Sequence, residues 1–297
     1  MKRWWIYQNE RFPVFAHGPL IAAFSACAVA FSALLRGAPT PTWSMFLTAF
    51  GVCLLMFLQL RIADEFKDAA EDARWRPYRP VPRGLVSLAE LRVVFILAAL
   101  AQSALVLLLE PLLMGVLAIA WSYLALMSVE FFCREWLKRR PVVYLVSHMG
   151  IMPLVDFFGT ACEWLPRGVP APAGLGWFLA ASFFNGIVIE FGRKIRQPVD
   201  EEEGVETYSQ LWGKAVAVNV WLGCLAATLV CAVIAAWEIH FMVPVALVLA
   251  PLVAVAVALR PGYLAGSLRG TWVEGFSAIW TLALYLMLGL VPLAMRG

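Results

Sequence analysis

Asp64-Glu65-Phe66-Lys67-Asp68-Ala69-Ala70-Glu71-Asp72 follows directly on an apolar segment, residues 43–62, long enough to cross a membrane. Read as the continuation of the helix that includes Thr48 to Leu60, the run repeats its acids, Asp64/Glu65, Asp68 and Asp72, every three or four residues, and so places them on one face. Like charges one turn apart destabilise a helix by roughly 0.2–0.5 kcal/mol per pair, so Asp64/Asp68 and Asp68/Asp72 carry a cost that a bound cation removes. Hard oxygen ligands of this kind suit Mg²⁺ or Mn²⁺. The competing reading of the run by itself is a solvated helix end whose acids are neutralised locally by Lys67, Arg74 and Arg76.

The rest of the chain supports a membrane setting. Of its 297 residues 62% are hydrophobic and only 14% charged, with a mean hydropathy of +0.78, which excludes an ordinary soluble domain. Segments of about 17–25 apolar residues span a bilayer. Nine are expected, at 14–35, 43–62, 89–109, 112–131, 142–161, 174–193, 215–237, 241–259 and 272–294. With the N-terminus inside, all but Arg36, Arg167 and Arg296 of the 23 basic residues fall on the cytoplasmic side, as the positive-inside rule requires. The fold class expected is an all-α polytopic membrane protein, one helical bundle of nine spans treated as a single domain over residues 1–297. The first apolar run is expected to remain as a span and not to be cleaved as a signal. The bilayer is its first partner, a net charge of +3 gives no reason to expect nucleic acid, and the six scattered cysteines read as small buried apolar residues.

Two connections on the cytoplasmic side are long and carry both signs of charge, Arg61 to Leu88 and Glu190 to Lys214, which suggests two related halves. The first continues as Arg74-Trp75-Arg76-Pro77-Tyr78-Arg79-Pro80-Val81-Pro82-Arg83-Gly84-Leu85-Val86-Ser87. Its prolines and glycine stop a helix and force a defined excursion. Acids and arginines together suit a site for both a divalent metal and a polyanion such as diphosphate.

This segment resembles the first signature of the UbiA superfamily of intramembrane prenyltransferases, N-D-x-x-D-x-x-x-D followed by R-P-x-x-x-G-x-x-S. Asp64 stands at the Asn position, Glu65, Asp68 and Asp72 at the three Asp positions, and Arg79, Pro80, Gly84 and Ser87 complete the downstream part. Two positions differ, Asn to Asp and Asp to Glu, and both changes keep oxygen ligands. In the second connection Gly204, Thr207 and Gly213 resemble the family's G-x-x-T and later Gly. The D-x-x-x-D that precedes them in the family is not intact: Glu190 with Lys194 is one alignment, Asp200 with its neighbouring Glu residues the other.

The resemblance implies an enzyme that moves a prenyl group from an isoprenyl diphosphate to an aromatic or lipophilic acceptor, with Mg²⁺ as cofactor and an active site on the cytoplasmic side of a bacterial-type inner membrane. It implies that Asp64, Glu65, Asp68 and Asp72 hold one ion and Glu190, with Asp200, another. Asp68, Asp72 and Glu190 are the catalytic set, and Arg74, Arg79, Arg193, Lys194 and Lys138 face the diphosphate. Ionisable and polar residues inside spans are costly and mark cavities or partners. His148, Asp156 and Asn185 are therefore candidates for the acceptor or prenyl pocket, and Glu274 for a polar path; the resemblance adds Tyr144, near the cytoplasmic end of the fifth span, where family members carry a tyrosine near the substrate. His148 and Asp156, eight residues apart, are expected to share a helix face. Glu130, Arg134 and Lys138 read as an ion-pair ladder or, for the two basic residues, as diphosphate contacts. A membrane terpene cyclase of the same superfamily and a transporter gated by the charged loops are the alternative functions.

Overall fold

The computed structural model describes residues 2–296, and among them there are helices and turns but no strand. Inside lipid each backbone N–H and C=O must find a partner within its own segment, and long apolar runs meet that demand as helices. Eight helical segments are long and apolar enough to cross a membrane: Val14–Leu35, Trp43–Lys67, Leu88–Leu109, Pro141–Arg167, Leu175–Lys194, Lys214–Glu238, Met242–Leu264 and Trp272–Arg296. The expected fourth span, 112–131, differs. Its helix covers only Leu113–Ser128, 16 residues, or about 24 Å against a hydrocarbon core of about 30 Å.

The helices gather into two compact units, one of residues to Val29 with Pro41–Pro170, the other of Ala30–Thr40 with the chain from Ala171 onward. Each contains one of the two long charged connections. In the first unit α1 (Lys2–Arg11) leads into α2 (Val14–Leu35), whose last turns count with the second unit. Then come α3 (Trp43–Lys67), α4 (Ala69–Trp75), α5 (Leu88–Leu109), α6 (Leu113–Ser128), α7 (Arg134–Lys138), α8 (Pro141–Met149) and α9 (Ile151–Trp164). α3 packs on α5 and α9, and α6 on α9. The second unit holds α10 (Leu175–Lys194), α11 (Tyr208–Trp212), α12 (Lys214–Glu238), α13 (Met242–Leu264), α14 (Trp272–Tyr285) and α15 (Val291–Arg296), the last two joined by a π-helical turn at Leu286–Leu290. There α10 packs on α12 and α14.

The acidic run does not form one uninterrupted helix. α3 ends at Lys67 and α4 begins at Ala69, with Asp68 between them at φ −94° and ψ 3°. The hydrogen bonds from Asp68 N to Asp64 O and from Asp72 N to Asp68 O nevertheless keep helical spacing, at 2.9 and 2.8 Å. The run is thus a helix kinked at its most crowded carboxylate.

Candidate active site

The four motif acids divide between two sides of this kinked helix. Glu65 and Asp72 are seven residues apart, two turns, and both are buried. Glu65 accepts from Arg11 Nε at 2.5 Å and from Arg61 Nη2 at 3.3 Å. Both Asp72 oxygens accept from Arg79 Nη1, at 2.9 and 2.7 Å, while Arg76 Nε lies 3.1 Å and Arg11 Nη2 3.9 Å away. Four guanidinium groups therefore surround these two carboxylates. Arg11 reaches them because α1 docks here, with Tyr7 packed against Ile62, Val86 and Leu91.

Asp64 and Asp68 lie on the more open side. The Asp64 side chain is 36% exposed, with only loose contacts to Arg61 at 3.7 Å and Lys67 at 3.9 Å. Asp68 is half-buried and makes no ion pair among the described residues. Burial pushes its carboxyl above the usual range and Asp64 adds to this; Lys67 opposes it, and Asp72 and Glu71 contribute further repulsion. No three His, Cys, Asp or Glu side chains among the described residues form a ready-made metal cluster. Mg²⁺, however, is commonly held by one or two carboxylates with waters and substrate phosphates completing its shell. The mutually repelling pair Asp64 and Asp68 fits that chemistry, whereas Glu65 and Asp72 are paired with arginines.

The downstream half of the first motif makes structural contacts. Arg79 is the partner of Asp72. Gly84 turns the chain at φ 75°, a conformation other residues adopt at a cost. Ser87 caps α5 in a capping box: its Oγ accepts from Glu90 N at 3.2 Å while the Glu90 carboxylate accepts from Ser87 N at 2.9 Å. Of the other residues expected to face diphosphate in this unit, Arg74 is exposed with its guanidinium over Trp75, and Lys138 pairs with Glu71 at 3.2 Å.

Beside Asp64 lies a second polar cluster. Lys67 Nζ donates to Tyr144 Oη at 2.8 Å and stands 3.5 Å from Glu130 Oε1. Tyr144 Oη is 3.4 Å from the same Glu130 oxygen, and His148 Nε2 is 3.1 Å from Glu130 Oε2. The Tyr144 and His148 rings stack at 3.9 Å, and His148 Nδ1 meets Tyr144 O at 2.8 Å. Glu130 therefore belongs to no ladder with Arg134 and Lys138. It is turned inward because Glu130, Phe131 and Phe132 adopt φ of 51°, 52° and 58°, three successive left-handed residues costing about 1–2 kcal/mol each. Burial alone would raise the Glu130 carboxyl; the adjacent His148 ring and the Lys67 charge outweigh that and hold it below the ordinary range.

Between His148 and Asp156 the helix is interrupted at Gly150, where α8 meets α9, and Asp156 is fully buried. The six cysteines are free, four of them buried and Cys133 and Cys224 partly so.

In the second unit Glu190, on the last turns of α10, lies 2.8 Å from Lys194 and 3.5 Å from Arg193. Asp200 is exposed, with its carboxylate lying over Gly270 where a Cβ would overlap it. Thr207 caps α11 by accepting from Gln210 N and donates to the Glu201 carboxylate, and Gly204 and Gly213 supply the positive φ of 72° and 79° on either side. Asn185 is buried and accepts from Thr281 Oγ1 at 3.2 Å, tying α10 to α14. Glu274 is exposed in the first turn of α14.

Lys67, Glu130, Arg11 and Arg61 were not among the expected site residues. For Lys67 the only signal was a lone cation inside an acidic run, which local neutralisation explains equally well.

The UbiA prenyltransferase family matches residues 23–269. Among solved structures, a UbiA homologue from Aeropyrum pernix K1 superposes with a TM-score of 0.68 at 15% identity, over 94% of this chain and 98% of that one. A digeranylgeranylglyceryl phosphate synthase superposes with a TM-score of 0.59 at 12% identity, over 99% and 98%. At those identities the likeness speaks for the fold. No curated protein matches the chain in sequence. Since the family match runs through both charged connections and most of the spans, the chain belongs to the UbiA prenyltransferase family and is an integral, multi-pass membrane prenyltransferase.

Proposed function

We propose that the protein transfers a prenyl group from an isoprenyl diphosphate to a lipophilic, aromatic-type acceptor in a Mg²⁺-dependent reaction at the cytoplasmic edge of a bacterial-type inner membrane. The observation that carries this reading is the Asp64–Asp68 pair. Two carboxylates one turn apart repel each other at the end of a membrane-length helix, while the other two motif acids are already neutralised by arginines. Asp64 and Asp68 would hold the ion, and Glu190 is the ligand proposed for a second one, with Asp200 as the alternative acid of that motif.

Mg²⁺, when bound, would neutralise the diphosphate and favour its departure as a leaving group. Arg74 and Lys138 supply cationic side chains for the remaining phosphate charge. Arg79 acts indirectly, by holding Asp72 and with it the helix that presents Asp68. The apolar spans keep water from the allylic cation that departure leaves, so that the acceptor and not solvent captures it.

The test is diphosphate release from a panel of isoprenyl diphosphates by the purified protein in lipid nanodiscs with Mg²⁺. Release that requires a pool of membrane-extracted acceptors establishes the transferase. Release without acceptor, accompanied by a cyclic product, would replace it with a cyclase.

A further inference from the structure

Lys67 sits inside the acidic motif, between Asp64 and Asp68 in sequence, and three features set it apart from a lysine that merely balances charge. First, of its three N–H donors only one makes a short hydrogen bond among the described residues, the 2.8 Å bond to Tyr144 Oη; Glu130 and Asp64 stand farther off, at 3.5 and 3.9 Å. The bond that fixes the ammonium is thus made to a tyrosine hydroxyl, and donor capacity remains beside the looser Glu130 and Asp64 contacts. Second, the ammonium lies beside the carboxylates assigned to the metal: it is within 4 Å of Asp64, and its charge acts on Asp68. Third, the partners behind it are themselves fixed. Tyr144 is stacked on His148, His148 contacts Glu130, and Glu130 is aimed by three consecutive left-handed residues, a conformation that persists only where surrounding structure over-determines it and that gathers at functional sites.

We infer that Lys67 is a phosphate-oxygen ligand built into the acidic motif, and that Tyr144, Glu130 and His148 are positioning residues that hold its ammonium beside the metal-binding pair. The inference rests on the proposed diphosphate substrate. A compact ammonium with free donors next to Asp64 and Asp68 would take a phosphate oxygen that the ion does not cover. The cluster also gives Tyr144 and His148 a part in diphosphate binding in place of the acceptor pocket.

Two measurements test it, on the full chain in nanodiscs. In the first, thermal stabilisation by Mg²⁺ with inorganic pyrophosphate is compared for wild type, Lys67→Met, Lys67→Arg, Tyr144→Phe and Glu130→Gln. The wild type should be stabilised, Lys67→Met should lose most of the shift, and Lys67→Arg should keep part of it. In the second, KM and kcat for diphosphate release are compared. Lys67→Met should raise KM for the isoprenyl diphosphate about tenfold with a smaller change in kcat, and Tyr144→Phe and Glu130→Gln should raise it severalfold. Adding Tyr144→Phe to Lys67→Met should have no further effect. A structural role alone would lower melting temperatures and leave both KM and the pyrophosphate shift unchanged, and that outcome overturns the inference. If Lys67→Met does not fold, Tyr144→Phe with a wild-type KM and shift overturns it instead. A wild type that binds Mg²⁺ and pyrophosphate through Lys67 but turns over no isoprenyl diphosphate would remove the proposed function and leave the ligand assignment standing; a wild type with no pyrophosphate shift would remove the assignment.

Discussion

Asp68 and Asp72 carry the same functional group in one motif and should behave oppositely when neutralised. Burial and Asp64 raise the Asp68 carboxyl above its unfolded value, so the folded chain holds that proton more tightly and loses stability as pH rises through the raised value. A neutral side chain removes that loss. Asp68→Asn is expected to melt at or slightly above the wild-type temperature at pH 7 without metal, and to lose both turnover and any stabilisation by Mg²⁺. In the wild type, Mg²⁺ stabilisation should fade with acidification at a higher pH than an ordinary carboxylate would give, measured by thermal shift across a pH series. Asp72→Asn instead leaves Arg11, Arg76 and Arg79 around a neutral amide. Removing one partner of a buried ion pair costs about 3 kcal/mol or more, so this variant should lose stability whether or not metal is present. The difference was not legible in the sequence, where all four acids repeat at helical spacing. Which of them meets arginines depends on where Arg11 and Arg79 arrive in space.

At the scale of elements, Gly84 turns the chain and Ser87 caps a helix. Ser87→Ala removes one half of the α5 capping box and is expected to lower stability by about 1 kcal/mol while leaving KM for the isoprenyl diphosphate unchanged. The N-terminal helix α1 has the larger part. Arg11→Ala leaves Glu65 buried with Arg61 alone and should lower stability by about 2 kcal/mol, as for loss of a charge-assisted buried hydrogen bond. Both are checked by denaturation in detergent of constant composition. The helices themselves could be read from apolar length, because lipid leaves a long apolar segment no other backbone solution. The kink at Asp68 and the left-handed turn at Glu130 to Phe132 could not. No glycine marks that turn, and the contacts sustaining it come from Lys67, Tyr144 and His148, residues 14 to 63 positions away in the chain.

For the whole molecule, the spacing of spans and the placement of basic residues make nine crossings, with termini on opposite faces, the expectation to be tested. Among the described residues, Leu113–Ser128 is the apolar helix of that set short of membrane length. Counting it as a crossing, tags at the two termini should be protected from opposite sides of sealed vesicles; protection from the same side would mean that it does not cross. Family membership was legible because the first motif is contiguous, whereas the second is split between Glu190 and Asp200, which lie in different surroundings. The central claim is that Asp64 and Asp68 bind the metal with which an isoprenyl diphosphate is cleaved. It is tested most directly by Mg²⁺-dependent diphosphate release in nanodiscs, comparing wild type with Asp68→Asn in the presence of membrane-extracted acceptors. Release by the wild type, lost on removing Mg²⁺ and lost in a folded Asp68→Asn variant, is the expected result; undiminished release by that variant at limiting Mg²⁺ would contradict the account.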